Sequence, residues 1–221
     1  KDRIKDGISQ LEGAFSMVLL VEDGIIAVRD ERGFRPLSLG KLDGAYVVAS
    51  ETCAFDLIHA EYIRDIEPGE ILFITEKGIK SVYIADKKPK SSFCIFEYIY
   101  FSRPDSNIYG HNVHLARKRQ GMELAKESPS KADLVIAIPD SGSSAAIGYS
   151  EQSGIPLEMG MIRNHYIGRT FIQPAQHIRD LSVRVKLNPI KDVVKGKKIV
   201  VIEDSIVRGT TSKIRVRNLR K

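Results

Sequence analysis

Tryptophan is absent from the 221 residues, and cysteine occurs only twice, as Cys53 and Cys94. Two cysteines without a CxxC spacing give no disulfide framework, which favours a reducing compartment such as the cytoplasm. No apolar run approaches the roughly 18 residues of a membrane span, and the first residues lack the apolar core of a signal peptide. We therefore expect a soluble cytoplasmic protein without a membrane partner.

Several site motifs are also missing. The sequence has no GxSxG, no GxGxxG after a strand and no GxxxxGKS or GxxxxGKT, so hydrolase, dinucleotide-binding and P-loop functions have no support. Its five histidines are not spaced as zinc ligands. The net charge is +6, but the excess lies in residues 186–221, where eleven Lys or Arg face three acids. Because no basic run alternates with aromatic residues, a small polyanionic ligand is favoured over nucleic acid.

The hydrophobic pattern changes near residue 90. Before it, short apolar runs and glycine turns predict mostly antiparallel strands, with one helix whose start Ser50 and Thr52 would cap. After it, strands alternate with helices, which predicts a parallel α/β sheet. A Lys/Pro/Ser cluster at 86–92 marks the boundary, so we expect two domains, 1–90 and 91–221. The expected elements are strands at 14–21, 25–29, 37–39, 46–49, 70–75, 79–84, 134–138, 157–162 and 198–202, and helices at 53–60, 113–125 and 145–151.

The most informative stretch is residues 199–211. Four β-branched apolar residues predict a buried parallel strand, and the adjacent acids Glu203 and Asp204 follow it. Gly209 lets the backbone approach a ligand closely, and the Thr-Thr-Ser at 210–212 supplies good N-cap residues for a helix. A strand, a glycine turn and a helix N-terminus form a geometry that suits a phosphate. An ordinary strand-to-helix turn with two solvated acids is the alternative.

Two further segments fit the same ligand. Residues 139–145 are small and follow the apolar strand 134–138, which is where ligands bind in parallel sheets; a simple capped turn fits them equally well. Residues 163–174 have no regular period and mix arginines with aromatics, as a lid over an anion or a plain surface excursion would. The loop at 139–145 and the loop within 199–211 would follow two strands of one sheet, which favours a shared ligand with phosphates at both ends.

Residues 199–211 resemble the phosphoribosyl-pyrophosphate (PRPP) signature of type I phosphoribosyltransferases: an apolar strand, two acids, a small loop and Gly-Thr-Thr. Residues 96–106, 168–174 and 204–211 narrow the resemblance to glutamine PRPP amidotransferases, and residues 10–80 resemble the later part of that family's glutaminase domain. The resemblance implies an α+β part of a glutaminase domain of the Ntn-hydrolase type in residues 1–90. An α/β parallel-sheet phosphoribosyltransferase domain, incomplete at its C-terminus, would then occupy 91–221.

The family transfers glutamine-derived ammonia to C1 of PRPP, which gives 5-phosphoribosylamine, pyrophosphate and glutamate in the first committed step of purine biosynthesis. The resemblance therefore implies Mg²⁺ as cofactor, PRPP and glutamine as substrates, purine nucleotides as feedback inhibitors and a homo-oligomer. Two alternatives stay open. One is a type I phosphoribosyltransferase that uses a nucleobase, and the other is a non-catalytic PRPP-binding regulator.

The resemblance also assigns roles to individual residues. Ribose and Mg²⁺ would be held by Glu203 and Asp204, with Ser141 as a further metal contact unless that role falls on Gly142. The 5-phosphate would lie against Ser205, Ile206, Val207, Arg208, Gly209, Thr210 and Thr211, and the pyrophosphate against Asp140, Ser141, Gly142 and Ser143. The lid would contain Arg163, Tyr166, Gly168 and Arg169, and the ammonia channel Phe96, Tyr100, Phe171 and Ile172.

Some positions depart from the family pattern. The family's nucleophile is a cysteine at the mature N-terminus, whereas residue 1 here is Lys and neither Cys53 nor Cys94 lies in that context, so we expect this chain to lack glutaminase activity. Glu203 stands where an Asp is usual. Cys94 lies where some members have one ligand of a [4Fe-4S] cluster, although a lone cysteine is more often a small buried hydrophobe.

Overall fold

The computed structural model describes residues 2–85, 90–164 and 187–220. Its contacts divide the chain into two compact units, with the division between Val113 and His114. The N-terminal unit contains α1 (Asp2–Ile8), β1 (Ser16–Val21), β2 (Gly24–Arg29), β3 (Ser38–Leu42), β4 (Ala45–Ala49), α2 (Cys53–Ile58), β5 (Glu61–Asp65), β6 (Glu70–Thr75), β7 (Gly78–Tyr83), a π-helix (Glu97–Phe101), β8 (Asn107–Ile108) and β9 (His111–Asn112). The C-terminal unit contains α3 (Val113–Glu127, starting at the division), β10 (Leu134–Ala137), α4 (Ser143–Ser153), β11 (Met161–Arg163), β12 (Leu187–Pro189), α5 (Lys191–Val194), β13 (Ile199–Ile202) and α6 (Thr210–Leu219).

The N-terminal unit is built on an antiparallel sheet in the order β1-β2-β6-β7. Successive side chains on a strand point to opposite faces, and both faces of β2 and β6 are apolar. One face packs with residues of the three-stranded sheet β4-β3-β5 and the other with α1. The first cluster contains Ala27, Leu37, Leu39, Ile66, Leu72 and Ile74, and the second Ile8, Ile26, Val28, Ile71 and Phe73.

Strand β1 lies at the edge of the four-stranded sheet, and its last four residues, 18–21, are exposed. They are all apolar, and Leu20 is 86% exposed. The predicted hairpin of β1 and β2 is confirmed, as are strands at β3, β4, β6 and β7. Strand β5 is not predicted by the sequence pattern, because its residues Glu-Tyr-Ile-Arg-Asp alternate poorly and only its pairing with β3 defines it.

A buried carboxylate joins strands of the N-terminal unit. Glu70 accepts hydrogen bonds from both terminal nitrogens of Arg64, at 2.8 and 2.7 Å, from the Glu67 N–H at 2.7 Å and from the Ser81 hydroxyl at 2.5 Å. Its side chain is 1% exposed, whereas that of Arg64 is 34% exposed. All the donors around this carboxylate therefore come from within the same unit.

Residues 90–113 group with the N-terminal unit, although the sequence pattern changes near residue 90. Glu51 accepts hydrogen bonds from the Arg103 N–H at 2.8 Å and the Ser106 hydroxyl at 2.7 Å. The Thr52 hydroxyl accepts one from the Asn107 N–H at 2.8 Å. Thr52 does occupy the N-cap position of α2, but it makes no side-chain cap, so the predicted capping bond is wrong. Its oxygen is used for a long-range contact instead.

The C-terminal unit contains the predicted parallel pair, in which β10 and β13 run side by side from Leu134–Ile199 to Ala137–Ile202. Its core includes Val135, Tyr149 and Ile202. The predicted strand at 157–162 is wrong in extent. Leu157 forms one parallel bridge to Val135, and the neighbouring strand β11 pairs with β12 in the antiparallel sense.

Two glycines bring helices α3 and α4 into backbone contact. A Cβ atom at Gly121 would lie 1.9 Å from the Ala145 carbonyl oxygen, and one at Gly148 would lie 1.9 Å from the Lys118 carbonyl oxygen. Any side chain at these positions would separate the helices, so this packing requires glycine at both. Within the three described ranges, no helix is long and apolar enough to cross a membrane.

Candidate functional site

The carboxyl ends of β10 and β13 lie at the same edge, because the strands are parallel and Ala137 is opposite Ile202. The loop 138–142 leads from β10 into α4, and the loop 203–209 leads from β13 into α6. Both segments singled out in the sequence therefore follow neighbouring strands. Such an edge is the usual ligand position in open α/β sheets.

A hydrogen bond joins the two loops. The Ser141 hydroxyl donates to Oδ1 of Asp204 at 2.7 Å, and the Ser205 hydroxyl donates to Oδ2 of the same residue at 2.8 Å. Gly142 is buried beside them, and a Cβ atom there would lie 2.6 Å from the Ile202 carbonyl oxygen. Of these two residues, Ser141 therefore has a side-chain oxygen in contact with Asp204, whereas Gly142 has no side chain to offer.

The two adjacent acids have different partners. Glu203 accepts hydrogen bonds from the Ser212 hydroxyl at 2.8 Å and from the Arg215 guanidinium, and both donors lie on α6. The Glu203 and Arg215 side chains are only 16% and 18% exposed. Asp140 in the first loop forms an ion pair with Arg163 at the end of β11. Each of the three carboxylates at this edge is therefore paired with a hydrogen-bond donor or a cation of the C-terminal unit.

Helix α6 begins without the side-chain cap that the sequence predicts from residues 210–212. Its N-cap is Gly209, which has a φ of 68° and no side chain to offer. A non-glycine residue rarely adopts this left-handed conformation, which explains the glycine. The preceding residues Ile206 and Val207 are exposed apolar side chains, and Arg208 is exposed too. The backbone N–H groups of this helix start lie at the edge where the two loops meet.

Helix α4 also begins after a glycine, with Gly142 as its N-cap. In its first turn the buried Ser144 hydroxyl is 2.9 Å from Nδ1 of His114, at the start of α3. Sequence reasoning did not select His114, because Ser144 is thirty positions away and no motif links the two residues. Ser143, predicted to contact pyrophosphate, is the first residue of α4 and is exposed.

The oxygen atoms at this edge fit Mg²⁺ in type, since it is a hard cation that takes oxygen ligands, carboxylates among them. Among the described residues, no group of three or more His, Cys, Asp or Glu is arranged to hold a metal ion. Magnesium sites often use one or two carboxylates and complete their coordination with substrate phosphates and water. Asp204 and Glu203 are adjacent carboxylates at this edge, and in this structure both accept hydrogen bonds from neighbouring side chains.

A four-cysteine iron–sulfur cluster does not fit this chain's own residues. Such a cluster takes four thiolates, and the chain has two cysteines. Cys53 is buried in α2, and Cys94 is half-buried. The predicted cluster ligand at Cys94 therefore has no set of cysteine partners within these residues.

The N-terminal unit holds the described part of the predicted channel. Phe96 and Tyr100 are exposed. Phe96 is the N-cap of the π-helix 97–101, and Tyr100 lies within it. Between them Glu97 is buried, accepts a hydrogen bond from the Ser102 hydroxyl at 2.5 Å and pairs with Arg35 at 2.9 Å. π-helices are rare and frequent at functional sites. The other predicted lid and channel residues, Tyr166, Gly168, Arg169, Phe171 and Ile172, lie outside the described residues.

No protein-family model matches the chain. It is 53% identical over 221 residues to the amidophosphoribosyltransferase of Bacillus subtilis, which is 100% of this chain and 46% of that protein. Its fold matches a solved structure of the B. subtilis glutamine PRPP amidotransferase complexed with ADP and GMP, with a TM-score of 0.91 and 53% identity over 99% of this chain and 48% of that one. The chain matches one stretch of the amidophosphoribosyltransferase family.

Other amidophosphoribosyltransferases agree with this assignment. The chloroplastic amidophosphoribosyltransferase 1 of Arabidopsis thaliana is 53% identical over 99% of this chain and 39% of that protein. That of Mycobacterium bovis is 51% identical over 98% of this chain and 41% of that protein. The chain thus spans less than half the length of the relatives it matches. The fold comparison confirms mixed α and β structure with β-sheets in both units.

Proposed function

We propose that this chain supplies the PRPP-binding part of an amidophosphoribosyltransferase. The observation that carries the proposal is the Ser141–Asp204 hydrogen bond of 2.7 Å, which joins the two loops at the carboxyl ends of β10 and β13. In the proposed reaction, ammonia forms a bond to C1 of PRPP while the bond from C1 to the pyrophosphate oxygen breaks. Pyrophosphate leaves with the electron pair, and the new amine releases a proton.

The proposal gives individual residues the following roles. Asp204 would accept hydrogen bonds from ribose hydroxyls and, with Ser141, hold Mg²⁺ bound to the pyrophosphate. Bound Mg²⁺ would neutralise charge that develops on the leaving group. The loop 140–143 would contact pyrophosphate, and the loop 205–211 would contact the 5-phosphate through the start of α6. Arg163, which pairs with Asp140, would lie at the base of the lid.

The remaining parts of the proposal concern the whole protein. Residues 1–90 would form part of a glutaminase domain of the Ntn-hydrolase type, and 91–221 part of a type I phosphoribosyltransferase domain. Phe96 and Tyr100 would line the route of ammonia. We further propose a cytoplasmic homo-oligomer that purine nucleotides inhibit; the B. subtilis relative was solved with ADP and GMP.

Calorimetric titration of the 221-residue chain with Mg²⁺ and PRPP tests the binding site. Asp204→Asn should weaken binding roughly tenfold or more, because a hydrogen bond to a charged group is worth about 1.5–3 kcal/mol. Ser141→Ala should weaken it less, and chelation of Mg²⁺ should weaken it in the native chain. Asp133→Asn is the matched control, since Asp133 accepts a hydrogen bond from the Lys198 N–H at the opposite end of the same two strands.

Equal binding by the native chain and Asp204→Asn would contradict the proposed site. Pyrophosphate release separates the alternatives when it is measured in the full-length protein that contains this stretch. Release that requires ammonia supports the amidotransferase, release that requires adenine or guanine supports a nucleobase phosphoribosyltransferase, and binding without release supports a regulator.

A further inference from the structure

The first turn of α4 is joined to α3 by a buried serine. The Ser144 side chain is buried, and its hydroxyl oxygen lies 2.9 Å from Nδ1 of His114, in the first turn of α3. One of these two atoms donates the hydrogen bond and the other accepts it, according to the tautomer of the imidazole. Both residues belong to the C-terminal unit. The proposed function gives neither of them a contact with substrate.

The N-cap residue of α4 does not anchor the helix start. Gly142 occupies that position, and the helix has no side-chain cap. A Cβ atom on Gly142 would lie 2.6 Å from the Ile202 carbonyl oxygen and 3.0 Å from the Ile138 carbonyl oxygen, so a capping side chain does not fit there. Helix starts are commonly fixed by an N-cap side chain that accepts a backbone N–H. A side-chain anchor for this turn therefore has to come from a neighbouring position, and Ser144 is the second residue of the helix.

Helix α3 also supports the backbone of the same turn. A Cβ atom on Gly121 would lie 1.9 Å from the Ala145 carbonyl oxygen, so the two helices touch directly beside Ser144. At the other end of the loop, the Ser141 hydroxyl donates to Asp204 at 2.7 Å. The short segment between the two serines is therefore held at both ends, by the second strand-end loop and by α3.

We infer that His114 is a positioning residue for pyrophosphate binding, because through Ser144 it fixes the first turn of α4 and the loop 140–143 that leads into it. The inference rests on the proposed function, which gives this loop the contact with pyrophosphate. A backbone that is held in its binding geometry loses less conformational freedom when the ligand binds, so the bond strengthens binding without touching the ligand. The 5-phosphate would bind the loop 205–211 after the other strand, and its affinity is therefore an internal reference.

Two ligands separate positioning from a general loss of structure: pyrophosphate with Mg²⁺, and ribose 5-phosphate. Their dissociation constants are measured by calorimetry for the native chain and for His114→Leu, His114→Asn, Ser144→Ala and the double variant of His114→Leu with Ser144→Ala. His111→Leu is the matched control, because His111 lies three positions earlier and is exposed. Thermal unfolding confirms that each variant is folded.

His114→Leu should weaken pyrophosphate binding about fivefold, which corresponds to the loss of one uncharged hydrogen bond. Ser144→Ala should do the same, and the double variant should be no worse than either single variant. His114→Asn should keep most of the affinity, because its amide ends near the position of Nδ1 and can donate or accept. The affinity for ribose 5-phosphate should stay unchanged in every variant, and His111→Leu should change neither affinity.

Amide hydrogen exchange reads the anchor without any ligand. The Ala146 N–H donates to the Gly142 carbonyl oxygen at 2.9 Å, so it reports on the opening of this turn. Its exchange should be faster in His114→Leu and Ser144→Ala than in the native chain, and unchanged in His111→Leu.

Four results overturn the inference in a native chain that binds both ligands. Pyrophosphate affinity could be unchanged in His114→Leu, or the losses of His114→Leu and Ser144→Ala could add. The loss could extend equally to ribose 5-phosphate, which would show a general weakening of the fold. His114→Asn could bind as weakly as His114→Leu, which would show that the amide does not replace the imidazole. A native chain that binds neither ligand refutes the proposed function itself, and unchanged exchange at Ala146 in the variants refutes the anchor separately.

Discussion

Replacing Glu70 by glutamine should destabilise the N-terminal unit by about 3 kcal/mol. The carboxylate is 1% exposed and accepts four hydrogen bonds, two of them from Arg64. A glutamine of the same shape turns one acceptor into an NH₂ group that faces a donor, and it leaves Arg64 without its counter-charge. Breaking a buried pair costs about 3–5 kcal/mol, and the low end applies because Arg64 is 34% exposed.

Amide hydrogen exchange on β6 and β7 is the appropriate assay, since it reports on the N-terminal unit by itself. The matched control is Asp105→Asn, which removes an ion pair whose Arg103 and Asp105 side chains are 56% and 54% exposed. Exposed pairs contribute about 0–1 kcal/mol, so this variant should hardly change the free energy of opening. If Glu70→Gln costs no more than Asp105→Asn, the buried carboxylate does not stabilise the sheet and the reasoning fails.

The same carboxylate predicts a pH dependence. Burial alone would raise the pKa of Glu70, but the hydrogen bonds from Arg64, Ser81 and the Glu67 N–H together outweigh it, and the pKa lies below the ordinary value of 4.5. Since the pKa is lower in the folded state, the carboxylate stabilises the fold above the unfolded pKa, and this stability is lost as the pH falls through the folded value. The native chain should lose stability below about pH 4.5 more steeply than Glu70→Gln.

Two other outcomes are expected. Gly148→Ala should lower the free energy of unfolding by about 2–3 kcal/mol in denaturant, because the new Cβ would lie 1.9 Å from the Lys118 carbonyl oxygen. Gly7→Ala in α1 is the control, since it has open space and should be neutral or slightly stabilising. Equal effects of the two substitutions would show that α3 and α4 separate freely. The purified 221-residue chain should release no glutamate from glutamine, since neither Cys53 nor Cys94 is an N-terminal cysteine of the kind that serves the family as nucleophile, and glutamate release above a buffer blank would contradict that.

Local pattern was enough to predict most strands and the two small polar loops that follow neighbouring strands. The run 199–202 is apolar and β-branched, and the run 134–137 is similar, so both read as buried strands whose carboxyl ends carry small polar loops. Their parallel pairing puts those loops together without further information from the sequence. The connection between Ser141 and Asp204 follows from that pairing.

Contacts set by tertiary packing were not predictable. Thr52 is a good capping residue, but its hydroxyl oxygen accepts a hydrogen bond from the Asn107 N–H, fifty-five positions away. The contact of Glu203 with Arg215, twelve positions further along the chain, is likewise not visible in the local pattern. Short apolar runs such as 157–162 also do not reveal strand direction, and β11 proved antiparallel to its neighbour.

The open edge of β1 has a consequence for the behaviour of the chain at high concentration. Among the residues that the structure describes, no strand pairs with the outer edge of β1, and such a row of backbone N–H and C=O groups, flanked by Val18, Leu19 and Leu20, is a template on which another extended segment can add. Apolar side chains beside such an edge favour assembly over solvation. Self-association of this chain in concentrated solution should therefore begin along β1, and a lysine at position 20 should raise the concentration at which it sets in.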